Sequence, residues 1–166
     1  MESTKSNTCT LIDRFSMPER LVMRLGWYGF MAVGTYGIFK QSPGWAAVYL
    51  LYSVLSFALV VLPGLCAHCP YPAKHATCLF LPPGLLNRFY PYKGPHMRPV
   101  SKIAVPIFMV GMVLLPNFWL LSDPPLLMLF WLLGMPTVAV FPMHYCRRCR
   151  HFDCPLNKAV GSDDTI

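Results

Sequence analysis

Three stretches of this chain, Trp45 to Leu65, Ile103 to Leu121 and Pro125 to Met143, contain no charged residue at all. At 1.5 Å of rise per residue, each is long enough to cross a hydrocarbon core of about 30 Å. A soluble core can absorb one such run. Three of them in 166 residues, with only 13% of the chain charged, leave too little polar surface to cover them. The expected fold class is therefore all-α, a polytopic membrane protein. A fourth and weaker segment precedes these runs. Ser16-Met-Pro-Glu19 has the form of a capping box with proline in the first turn, so a helix is expected to begin near Met17. Its apolar part runs from Leu25 to Phe39, and Arg20 and Arg24 can snorkel to the interface. Gly26, Gly29, Gly34 and Gly37 fall on one helical arc, where small residues form a packing seam. The expectation is thus four transmembrane helices in two hairpins, with spans at about 20–39, 45–65, 103–121 and 125–143. Residues 1–16 form an N-terminal tail, 66–101 a Cys-rich interfacial loop and 144–166 a Cys-rich C-terminal tail. Within the loop, residues 79–100 are too broken by proline to span, and their alternating aromatic and basic residues suit the headgroup region.

Charge sets the expected orientation. The net charge is +7, and thirteen of the fourteen lysines and arginines flank the spans on one side. Only Lys40 lies opposite. By the positive-inside rule that side is cytoplasmic, and four spans place both termini there, in a cytoplasmic or inner membrane. The polar first twenty residues hold no signal-peptide core ahead of the first apolar segment. Basic charge confined to the ends of apolar runs indicates a lipid bilayer as partner and argues against nucleic acid.

The same face carries six of the seven cysteines and all five histidines. Cys66-Ala-His-Cys69 is followed by Cys78, and Cys146-Arg-Arg-Cys149 by Cys154. In a C-x2-C pair the short turn directs two sulfurs to one centre, an arrangement used by zinc sites and iron–sulfur clusters alike. Cys9 stands alone and reads as a bystander. Cys66, Cys69, Cys78, Cys146, Cys149 and Cys154 are the expected ligands, with His68, His75, His144 and His151 available to complete a coordination shell. Six sulfurs exceed what one four-coordinate zinc needs: three per half suit two centres, each completed by a histidine, or four of the six hold one cluster between the halves. A [4Fe–4S] cluster is the favoured cofactor and zinc the alternative. Arg147, Arg148 and Arg150 lie within the second triad and are expected to lower the thiol pKa values. Leu62-Pro63 ahead of the first pair and Phe141-Pro142 ahead of the second give the halves a short likeness, a candidate 2+2 internal repeat.

These features lead to an expected membrane electron-transfer subunit or accessory redox protein, working with another redox protein or membrane subunit. Two alternatives are a zinc-stabilised membrane scaffold or assembly factor, and a thiol–disulfide oxidoreductase or soft-metal handling protein. The chain carries no phosphate loop, no His-Glu-x-x-His and no paired carboxylates, so hydrolysis and phosphate chemistry have no footing. Asp153 is the one acid beside the cysteines, expected to salt-bridge an arginine, with orienting a histidine as the alternative. Asn117 is a polar group within a span, expected to bond between helices.

Overall fold

A computed structural model describes residues 12, 14–74 and 77–157. Cys9, His75, Lys158, most of the N-terminal tail and the acidic residues after Val160 lie outside the described residues. Among the described residues the regular structure is all helical. The elements are α1 (Met17–Gln41), α2 (Pro43–His68), α3 (Pro70–Lys74), α4 (Pro83–Phe89), α5 (Pro99–Leu120) and α6 (Pro124–Arg148). Proline opens five of the six and stands second in α1, where its missing N–H removes a donor that has no partner anyway. The expected capping box is present. The Ser16 N–H donates to Glu19 Oε2 at 2.7 Å, and the Glu19 N–H donates to Ser16 Oγ at 3.4 Å.

Three helices, α2, α5 and α6, are long and apolar enough to cross a membrane. Only 18% to 33% of their apolar stretches is buried within the protein. Leu59, Ile107, Phe118, Met128 and Leu132 are all more than half exposed. An apolar surface this continuous suits contact with a lipid bilayer and would be insoluble in water. The fourth expected span, α1, is less apolar than these three because charged residues occupy both its ends. It nevertheless holds the centre, packing against α2, α5 and α6.

The glycine arc explains how α1 gets so close. A Cβ at Gly26 would stand 3.0 Å from the Leu133 backbone oxygen, and one at Gly34 would stand 3.1 Å from the Phe130 ring. Around this seam Trp27, Phe30, Met112, Leu120 and Phe130 form the main core. Polar bonds link the helices within it. Tyr49 Oη donates to the Met112 carbonyl at 2.8 Å, and Trp131 Nε1 donates to Asn117 Oδ1 at 3.0 Å, which makes Asn117 the interhelical link its position implied.

Two proline-linked widenings of the helix lead to the cysteines. Phe57–Val61 in α2 and Pro136–Tyr145 in α6 are π-helical, with bonds from residue i to i−5. In α2 the Leu62 N–H reaches the Phe57 carbonyl. The next bond in that series would run from residue 63 to Ala58, but Pro63 has no N–H. Tyr90 Oη, from the end of α4, donates to the Ala58 carbonyl at 2.8 Å instead. The π segment of α6 gives way directly to a single 3₁₀ turn, Cys146–Arg148, and that of α2 does so after one α-helical turn, Leu62–Gly64, reaching the 3₁₀ turn Cys66–His68. The chain then leaves in extended form at Cys69 (φ −76°, ψ 128°) and Cys149 (φ −83°, ψ 136°). The two C-x2-C turns are therefore built alike.

Candidate metal centre

The bundle has two distinct ends. At one, Lys40 Nζ meets Asp123 Oδ2 at 2.6 Å and the Trp45 and Trp119 rings lie 5.8 Å apart. At the other, Arg24 donates to the carbonyls of Cys78 and Leu79, each at 3.3 Å, tying the first cysteine loop to α1. The second loop is tied to the first by Tyr71. Its hydroxyl donates to the Ile12 carbonyl at 2.8 Å and accepts the Arg150 N–H at 3.2 Å. The Ile12 N–H in turn reaches the Arg148 carbonyl at 2.9 Å. Both triads thus sit at the same end of the molecule.

There all six cysteines line one cavity of about 90 Å³. Cys78 and Cys146 are buried, the other four are half-buried, and no disulfide joins any of them. Phe15, Tyr71, Phe80, Phe141 and Leu156 complete an apolar wall. Phe15 packs against Tyr71 with ring centres 4.7 Å apart and against Tyr145 at 5.9 Å. Among the described residues no carboxylate faces the cavity.

Of the described histidines proposed as ligands, His151 alone lines this space, and His75 lies outside the described residues. It is buried, with Nε2 at 3.1 Å from the Pro95 carbonyl, and burial pushes its pKa down. His68 lies on the other side of its turn, its Nδ1 held 2.9 Å from the Gly94 carbonyl. His144 is exposed. Asp153 is engaged by a lysine rather than the expected arginine, accepting from Lys102 Nζ at 2.5 Å and from the Met97 N–H at 2.6 Å.

The electrostatics run opposite to the sequence expectation. Arg147, Arg148 and Arg150 are exposed. Burial pushes the Cys69 thiol well above its ordinary range, and the neighbouring Cys66, Cys149 and Cys78 raise it further. Burial likewise raises Cys149, against bonds from the His151 N–H and Tyr71 that lower it. Cys154 is raised by burial and by Cys149. Loss of solvation outweighs the arginines because their charges stay in water.

In donor type the site suits a soft metal: six sulfurs, apolar surroundings and no competing oxygen ligand. In arrangement it does not match a single ion. Among the described residues no three His, Cys, Asp or Glu side chains converge on one point. Phe15, Tyr71 and Leu156, which close the cavity, carry no sequence signal, since only folding brings them to the cysteines.

The fold and this site together define an all-helical protein with three helices apolar enough to cross a membrane and six cysteines gathered at one end. No protein-family model, curated protein or solved structure matches the chain.

Proposed function

We propose that the protein is a membrane electron-transfer subunit or accessory redox protein that holds an iron–sulfur cluster at the cytoplasmic face. The observation that carries this reading is the convergence of two remote triads, Cys66/Cys69/Cys78 and Cys146/Cys149/Cys154, on one water-poor cavity. The preference for a cluster over zinc rests on the number of cysteines: six exceed what one tetrahedral zinc needs. The raised thiol pKa values weigh against thiol–disulfide exchange, which needs a stabilised thiolate.

A bound cluster supplies reversible one-electron storage. The chain's own residues hold and shield it. Four of the six cysteines are enough for a [4Fe–4S] centre. Phe15, Phe80, Phe141 and Leu156 exclude water, and Tyr71 anchors the N-terminal segment across the second triad.

The reading includes four spans, with α1 as the fourth. Its 25 residues measure about 37 Å at 1.5 Å each, enough to match its neighbours. It also includes a 2+2 repeat, supported by the like-built C-x2-C turns, and a cytoplasmic location for the cysteine end, supported by the basic residues there.

Anaerobic purification tests the function. The expected result is a coloured protein with broad visible absorption, matched iron and sulfide, and an electron paramagnetic resonance signal on reduction. A colourless protein holding stoichiometric zinc, or one with all seven thiols titratable and no metal, would refute the reading.

A further inference from the structure

A second site lies behind the first C-x2-C turn, in a cleft of about 540 Å³ between the end of α2 and the start of α5. This is within the range of about 300–1,000 Å³ typical of small-molecule sites. Its composition is divided. Lys93, His96 and Arg98, all exposed, line its polar part, whereas Leu59, Val60 and Val100 line its apolar part. Among the described residues no carboxylate lines it, and Asp153, which lies near enough to His96 to interact with it, is held by Lys102. Among the described residues the ion pairs are Lys40–Asp123 and Lys102–Asp153, so neither Lys93 nor Arg98 is neutralised by an acid. The buried His68 also reaches this cleft, its Nδ1 already fixed on the Gly94 carbonyl. The Lys93 N–H donates to the Ala67 carbonyl at 2.8 Å, which holds the loop beside the end of α2. Leu59 is 66% exposed and Val100 74%, so the apolar wall runs directly into the lipid-facing surface of α2 and α5.

A ligand matching this cleft has an anionic head and an apolar body entering from the membrane. We infer that the cleft binds an anionic phospholipid, with its phosphodiester beside Lys93, His96 and Arg98 and the upper part of its acyl chains along Leu59, Val60 and Val100. A soluble anion would use the cations but not the apolar wall. A zwitterionic lipid would use the wall but would place its own cation among the protein's. The site does not depend on what the cysteines bind.

The test uses the full chain in nanodiscs of phosphatidylcholine, with phosphatidylglycerol titrated in, and native mass spectrometry to count retained lipid. Wild type should retain phosphatidylglycerol in preference to phosphatidylcholine. Each cation beside an anionic headgroup contributes about a fivefold factor, so Lys93→Gln with Arg98→Gln should weaken retention about 25-fold. Lys93→Arg with Arg98→Lys, and Lys40→Gln at the opposite end, should retain it as wild type does. Equal retention of the two lipids, or undiminished phosphatidylglycerol in the neutralised variant, would overturn the inference. Displacement of the lipid by millimolar inorganic phosphate would also overturn it, since the site would then recognise a free anion. Should the neutralised variant misfold, the wild-type lipid preference and the charge-preserving pair decide the matter.

Discussion

Replacing Tyr90 by phenylalanine removes one hydroxyl and leaves the ring packed beside Leu62, Cys78 and Leu86. That hydroxyl is the donor to Ala58, whose carbonyl sits where a π-helical bond from residue 63 would end. A fully buried acceptor left without a donor costs about 1–3 kcal/mol, and an ordinary bond gains about 0.5–1.5 kcal/mol net; the Ala58 carbonyl is part-buried, so its loss falls between the two. Tyr90→Phe should therefore destabilise the protein by about 1–2 kcal/mol, measured by reversible unfolding in detergent micelles with tryptophan fluorescence. Positions 63 and 90 together give a sharper test. Pro63→Ala restores an N–H at residue 63, so in that background Tyr90→Phe should cost less than about 0.5 kcal/mol. The double-mutant cycle would show a coupling of about 1 kcal/mol between side chains 27 positions apart in sequence. Accessibility supplies a second readout, because the bond holds the segment that delivers Cys66. Cys66 and Cys78 should react faster with a membrane-impermeant thiol reagent in Tyr90→Phe than in the double variant. Equal costs of Tyr90→Phe in the two backgrounds would refute the idea that Tyr90 stands in for the amide that proline lacks.

The glycine seam makes a graded prediction. Gly26→Ala should destabilise by about 1–3 kcal/mol because its Cβ meets the fixed Leu133 carbonyl, whereas Gly44→Ala, with open space around it, should be neutral or slightly stabilising in the same unfolding assay. At the site, Cys69→Ser or Cys149→Ser should lower cluster content by at least half, and Cys9→Ser should leave iron and sulfide unchanged. Tyr71→Phe removes the link between Ile12 and Arg150, and should hasten bleaching of the visible absorption in air without changing the initial iron content. The Lys40–Asp123 pair gives a pH dependence of known sign. The hydrogen bond from Lys40 holds the Asp123 carboxyl below its ordinary range, so the pair's contribution is present above the unfolded carboxylate pKa and is lost as pH falls through the depressed folded value. Melting temperatures of wild type and Asp123→Asn should differ slightly at neutral pH and converge on acidification. A constant difference across that range would exclude the pair as its source.

Much of the architecture was legible because the forces involved act locally or along one helix. Three uncharged runs indicated three helices able to cross a membrane, and Ser16 with Glu19 marked the start of α1 to the residue. Helix ends were read less well. The α2 and α6 helices run on through the first turn of each C-x2-C motif, because π-helical segments absorb Pro63, Pro136 and Pro142 without breaking the chain. Nothing in periodicity distinguishes a proline that ends a helix from one that widens it. The arginine expectation failed for a related reason. Proximity in sequence placed Arg147, Arg148 and Arg150 among the thiols, but a 3₁₀ turn sends neighbouring side chains to different sides, leaving the charges in water.

The amino-acid sequence by itself determined which segments avoid water, which end of the molecule is basic and which six cysteines share that end, since these follow from transfer free energies and charge counts. Only the tertiary structure decided that α1, the least apolar of the long helices, would be the central one. It alone also turned His68 away from the sulfurs, left His151 as the one described histidine at the cavity, and brought Phe15, Tyr71 and Leu156 to close it. Those outcomes depend on close approach between segments as far apart as Phe15 and Leu156, 141 positions in sequence, and no local pattern records how such segments will pack.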